Sequence, residues 1–158
     1  MRIRKAFITA LIAVAVSSTA ALVVSAQPRA ATPPSAPATQ RALVFVLTSG
    51  IEDIQAMNSV FRHAKTAAEQ HKLQEVVVLV YGRGVNALDG SMKARPTTTG
   101  DFVRDAIAAG VRVKVCAVAL EHMGVPKDKL DPAGVEIVPN AMATLVDYVA
   151  RGAAVVKY

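Results

Sequence analysis

The 158-residue chain predicts an α/β fold, a three-layer α/β/α sandwich around a mainly parallel five-stranded sheet. Two observations carry this expectation. Apolar runs such as Ala42–Leu47 and Val76–Tyr81 are continuous rather than alternating, as strands buried on both faces require. Between them lie segments whose apolar residues recur every three or four positions, and strands alternating with helices pair in parallel through right-handed crossovers.

Taken in order, Ala42–Leu47 is the first strand, broken by Thr48-Ser49-Gly50. Ile54, Met57, Phe61, Ala64 and Ala68 then share one face of a helix, for which Ser49 and Glu52 have the spacing of a capping box. Val76–Tyr81 is the second strand, and the polar, glycine-rich stretch Gly82–Pro96 that follows is irregular. A second helix is expected over Asp101–Ala109, with Phe102, Val103, Ala106 and Ile107 inward and Gly110 as its stop. Val111–Leu120 reads as a third strand, Val135–Val138 as a fourth and Ala153–Lys157 as a fifth. Asn140 can cap a last helix that turns Met142, Leu145, Val146 and Val149 inward and ends at Gly152.

Arg2, Arg4 and Lys5 precede the apolar run Ala6–Val24, which ends in small residues at Val24-Ser25-Ala26. This is the pattern of a secretory signal peptide over 1–26, with cleavage after Ala26 expected rather than retention as an anchor. The location implied is periplasmic or secreted. No cysteine at the cleavage point supports lipid attachment, and no Arg-Arg pair marks export in the folded state. Residues 27–40, with Pro28, Pro33, Pro34 and Pro37 among alanine, serine and threonine, read as a disordered linker, leaving 41–158 as one domain. The formal charge of +6 falls largely on the leader and linker. The nearly balanced domain gives no electrostatic case for nucleic acid, and none for the membrane once the leader is removed.

In open parallel sheets ligands bind beyond the carboxyl ends of the strands, where Thr48–Gly50, Tyr81–Asn86 and Cys116–His122 converge. Gly82-Arg83-Gly84-Val85-Asn86-Ala87 matches a dinucleotide-binding pattern. Its context argues against that role: it follows the second strand, Gly90 and Pro96 interrupt any long helix behind it, and no acidic residue is placed to hold a ribose. A glycine-rich turn entering a surface loop is the preferred reading. His63 and His71 lie eight residues apart, too far to chelate one ion, and Cys116 with His122 falls short of the ligands zinc requires. Neither a metal nor another cofactor is therefore expected. Cys116 is the only cysteine, so it cannot form an internal disulfide. Residue type leaves two alternatives open: a packed core residue, as free cysteine commonly is, or a reactive thiol near a cation or helix amino end, with Lys114, Arg83, His122 and a helix start near Gly124 as candidate neighbours.

Arg41–Gly50, the helix containing Asn58, Val76–Gly84, Gly110–Cys116, Met123-Gly124-Val125, Gly134–Pro139 and Gly152–Tyr158 together resemble, in order and spacing, the DsrE/DsrF-like proteins. The resemblance spans Arg41–Tyr158. It implies a five-stranded parallel sheet and assembly into homo-oligomers, trimers or hexamers. It further implies a sulfur-relay role for Cys116 as catalytic residue, because relay members carry a persulfide at the matching place and exchange it with donor or acceptor proteins. Ser49, Asn58, Tyr81, Gly82, Gly84, Asn86 and His122 are the candidates for lining its cleft. Tyr81 stands where several relatives have histidine, and Val118–Leu120 replaces a more polar stretch. The alternative function is a noncatalytic small-ligand or protein-binding module with Cys116 in its core.

Overall fold

A computed structural model describes residues 41–158; the expected leader and linker lie outside the described residues. The chain runs β1 (Ala42–Leu47), α1 (Ile54–Glu69), β2 (Glu75–Val80), α2 (Thr97–Ala108), β3 (Arg112–Cys116), α3 (Ala117–Met123), β4 (Glu136–Val138), α4 (Ala141–Ala150) and β5 (Ala154–Lys157). All strand pairings are parallel, in the order β4-β3-β2-β1-β5. Steps from β1 to β2 to β3 advance across the sheet, whereas the step from β4 to β5 returns across it. Right-handed crossovers therefore set α1 and α2 on one face and α4 on the other. The contacts agree: α1 packs on α2, and α4 on β1 and β2. Among the described residues no helix is long and apolar enough to cross a membrane.

Val44–Leu47 and Val76–Val80 are buried throughout, with Met57, Val60, Phe61 and Ala64 of α1 closing over one side. Ile54, expected on that inward face, is exposed, and Ala68 is only half-buried. The cap of α1 is Asp53, whose carboxylate accepts from the Ala56 N–H at 2.9 Å, and not Ser49. A short 3-10 turn over Ile51–Asp53 shifts the helix start beyond the reach of Ser49.

Five further expectations are corrected. The run after Cys116 is a helix: β3 ends at Cys116, and Ala117–Met123 turns helical, with Ala119 and Leu120 buried and Val118 exposed. A short apolar run cannot by periodicity alone be assigned to strand or helix, and alanine, leucine and glutamate favour the latter. Gly124, at φ +68°, is the left-handed stop of α3 rather than the start of a helix. Helix α2 begins at Thr97, directly after Pro96, four residues earlier than expected. The stretch Gly82–Leu88 is a 3-10 turn whose residues from Gly84 to Leu88 are buried, not a surface loop. A Cβ on Gly84 would lie 2.5 Å from the Leu47 carbonyl oxygen, so glycine there lets the turn press against the end of β1.

The fifth correction concerns α4. Ala141 and Tyr148 are its buried residues, while Met142, Val146 and Val149 are 53%, 59% and 53% exposed. Leu145 is half-buried. The helix is apolar on most sides, so spacing alone did not fix its inward face. Tyr148 takes that place because its ring is covered while its hydroxyl donates to Glu75 Oε1 at 2.8 Å.

Candidate functional site

Strand β3 decides where the thiol points. Val113 and Val115 alternate with Lys114 and Cys116, and the latter pair turns toward α4. Lys114 Nζ lies 6.0 Å from the Tyr148 ring centre, and the Ala141 N–H, the first of α4, donates to Cys116 Sγ at 3.4 Å. The thiol therefore faces away from the layer of α1 and α2.

At the carboxyl ends of β2 and β3 this face opens into a cleft of about 360 Å³. Cys116 forms its floor. One wall is a single face of α3, from which Val118, Ala119, His122 and Met123 project at helical spacing. A second wall is the start of α4, Asn140 to Met142, and a third is Tyr81-Gly82-Arg83 at the end of β2. The chain can turn there because Gly82 adopts φ +57°. The α4 wall is fixed by Asn140, whose Oδ1 accepts from Met142 N–H at 2.9 Å and Ala143 N–H at 3.1 Å. Cys116 is only 6% exposed, and its side chain joins the hydrophobic core as well as the cleft.

The charges around the cleft are largely committed to partners. Arg83 Nε pairs with Glu52 Oε1 at 2.8 Å. The Glu52 carboxyl is held below the ordinary carboxylate value, first by the Gly50 backbone N–H and then by its own, with Arg83 adding to the effect. Lys114, on the same strand face as Cys116, gives its ammonium to Glu136 Oε1 at 2.7 Å. That contact is the leading cause of the lowered Glu136 value, and Arg112 assists.

Of the residues expected at the site, Cys116, Tyr81, Gly82 and His122 line the cleft, while Ser49, Asn58, Gly84 and Asn86 do not. Ser49 is half-buried just past β1. Asn58 accepts a hydrogen bond from Thr99 Oγ1 at 2.8 Å and ties α1 to α2. Gly84 and Asn86 sit inside the buried 3-10 turn, where Asn86 Oδ1 has no hydrogen-bond partner. The lining residues missed in the sequence are Val118, Ala119, Met123, Asn140, Ala141 and Met142. Reading α3 as a strand hid the shared face of the first three. From sequence alone Asn140 reads only as a cap, and Met142 as an inward-facing residue. Among the described residues no group of three or more His, Cys, Asp or Glu could hold a metal ion.

No curated protein matches the sequence significantly. Solved structures do match in fold. The ychN protein of E. coli superposes with a TM-score of 0.62 at 20% identity, covering 75% of this chain and 99% of its own. BT1422 from Bacteroides thetaiotaomicron, a conserved protein of unknown function, gives 0.62 at 15% identity over 78% of this chain and 99% of its own. MTH1491 from Methanobacterium thermoautotrophicum, also of unknown function, gives 0.57 at 21% identity over 75% and 99%. At these identities the likeness speaks for the fold alone. The sequence profile of the DsrE/DsrF-like family matches residues 41–158, the whole of the described domain, and the chain belongs to that family.

Proposed function

We propose that the chain is an exported sulfur carrier that holds sulfane sulfur as a persulfide on Cys116. The observation that carries this reading is the Ala141 N–H donated to Cys116 Sγ at the floor of an open cleft. An amide at the positive end of a helix favours negative charge on the atom it meets, whether thiolate or persulfide anion. The lining supports the same use. Val118, Ala119, Met123, Ala141 and Met142 give a sulfur–sulfur bond an apolar lining, and His122, Tyr81 and Arg83 are polar side chains beside it.

The transfer balances without any cofactor. The Cys116 thiolate attacks the outer sulfur of a donor persulfide, R–S–SH; the donor's S–S bond breaks and R–S⁻ leaves, taking a proton from solvent. Cys116 then carries S–SH, and a second thiolate reverses the step to receive the sulfur. Incubation of the reduced protein with polysulfide, followed by intact mass measurement, is expected to reveal an added mass of roughly 32 Da per sulfur on the wild type and none on Cys116→Ser. An unmodified wild type would overturn the proposal.

One observation favours a second reading, a noncatalytic binding module: Cys116 is 6% exposed among apolar neighbours. Native labelling with a small alkylating reagent separates the two. A carrier thiol reacts in the folded protein, and a sealed core thiol only after denaturation.

A further inference from the structure

The cleft gathers more sulfur than its cysteine. Of the four methionines within the described residues, Met57 is fully buried in the core, but Met123 and Met142 are 40% and 53% exposed and both line the Cys116 cleft. His122 lines it as well. One thiol, two thioethers and one imidazole thus border a space of about 360 Å³.

Geometry allows the sulfurs to converge. The amide touching Cys116 Sγ belongs to Ala141, so Met142 starts one residue, about 3.8 Å of chain, further on. Cys116 is the N-cap of α3 and Met123 its last residue. About 10.5 Å of helix rise separates the two, and because long helical side chains lean back toward the amino end, the Met123 thioether can cover part of that distance along the cleft wall. His122 projects from the same helix face. The set lacks carboxylates and has too few hard or borderline ligands for zinc or magnesium. Thiolate with thioether is the ligand chemistry that selects soft cations.

The geometry points to a binding site for a soft monovalent cation, Cu(I) or its analogue Ag(I), formed by Cys116, Met142 and Met123 with His122 at its edge. Binding replaces the thiol proton by the metal, so one proton is released and no electron moves. This site does not depend on sulfur transfer. It uses the same sulfur atom, so the metal-loaded protein cannot also accept a persulfide.

The bland alternative is that the methionines are an apolar rim that only excludes water. Leucine keeps size and apolarity but removes the thioether, so the double variant Met123→Leu/Met142→Leu separates the readings. Reduced protein is titrated anaerobically with Cu(I) against bathocuproine disulfonate. One Cu(I) per chain is expected to be retained by the wild type and lost in Cys116→Ser. The double leucine variant should weaken retention at least about tenfold, the loss seen even when outer partners of a metal ligand are removed. Wild-type retention in the double leucine variant, copper shared between two chains through thiolates alone, or no retention at all would each overturn the site. A second measurement does not require the variants to fold. Ag(I) added to the wild type should shift the methyl resonances of Met123 and Met142 and leave that of Met57 in place; unmoved cleft methyls overturn the proposal. Polysulfide loading of the metal-free wild type keeps the outcomes separate, since it succeeds if Cys116 carries sulfur, whatever happens with copper.

Discussion

At the scale of the residue, the two roles open to a lone cysteine turn out to be compatible. Cys116 is packed like a core residue, yet its sulfur meets an amide and a cleft rather than the α1 and α2 layer. Parity along β3 makes the difference, because shifting the strand by one residue would exchange Cys116 for Val115. Ala141→Pro removes the amide hydrogen and sets the ring Cδ in its place against Sγ, so it tests the amide contact as a whole. Proline is favoured at the first position of a helix, where no intrahelical bond is lost. Asn140, at φ −145° and ψ 120°, already has the extended backbone that a following proline demands. The variant should keep its helix content while alkylation of Cys116 at neutral pH slows roughly fivefold, the equivalent of one hydrogen bond worth about 1 kcal/mol. An unchanged rate in a folded variant would show that the Ala141 amide leaves the thiol indifferent. Part of this site was legible in the sequence. Cys116, Tyr81, Gly82 and His122 follow strand ends, and the sheet rule brings strand ends together. Met142 and Ala141 come from a helix more than twenty residues further along, and nothing local to Cys116 announces which side of that helix meets the thiol.

At the scale of the element, α4 shows where sequence patterns run out. Its boundaries and its Asn140 cap follow from local chemistry, and β1, β2, β4 and β5 fall within one residue of expectation for the same reason. Its inward face does not, because apolar residues lie all round it and the decision rests on a distant partner, Glu75. The buried Tyr148 hydroxyl donates to that carboxylate, and Arg151 lies 4.6 Å over the ring. Burial, followed by the contact with Glu75, pushes the phenol from its ordinary 10.0 up to about 12. The folded state therefore keeps a proton that the unfolded chain releases. The resulting stability is complete below about pH 10 and is lost as pH rises toward 12. Tyr148→Phe has no proton to keep. Urea unfolding should find the variant less stable by about 1 kcal/mol at pH 7, with the gap to wild type narrowing across that alkaline window. A gap that stays constant from neutral to alkaline pH would mean that Tyr148 contributes packing and no proton linkage.

At the scale of the molecule, what stands out is apolar surface left without a partner. Met142, Val146 and Val149 run along the outer side of α4 at intervals of four and three, each more than half exposed. Edge strand β5 is exposed along its whole length, and Val155, in register with Val44, lies on the same side of the sheet as α4. A helix stripe beside an open strand edge gives a contiguous apolar patch, and patches of that kind on folded domains mark association surfaces. The unpaired β5 edge adds free backbone donors and acceptors, which isolated proteins usually shield. The nearly balanced domain charge offers little repulsion against packing copies together. The domain is thus expected to form a homo-oligomer in solution, with a mass near three or six chains, as its family resemblance implies. Light scattering measures this directly. Val146→Glu places a charge in the middle of the stripe, where burial would cost several kcal/mol, and should give the monomer mass with unchanged circular dichroism. A wild type that stays monomeric at high concentration would instead assign the stripe to some other partner. Because Met142 belongs to both the stripe and the cleft, assembly through α4 also bears on Cys116: the same charge variant should alkylate faster than wild type as the cleft mouth loses its neighbour.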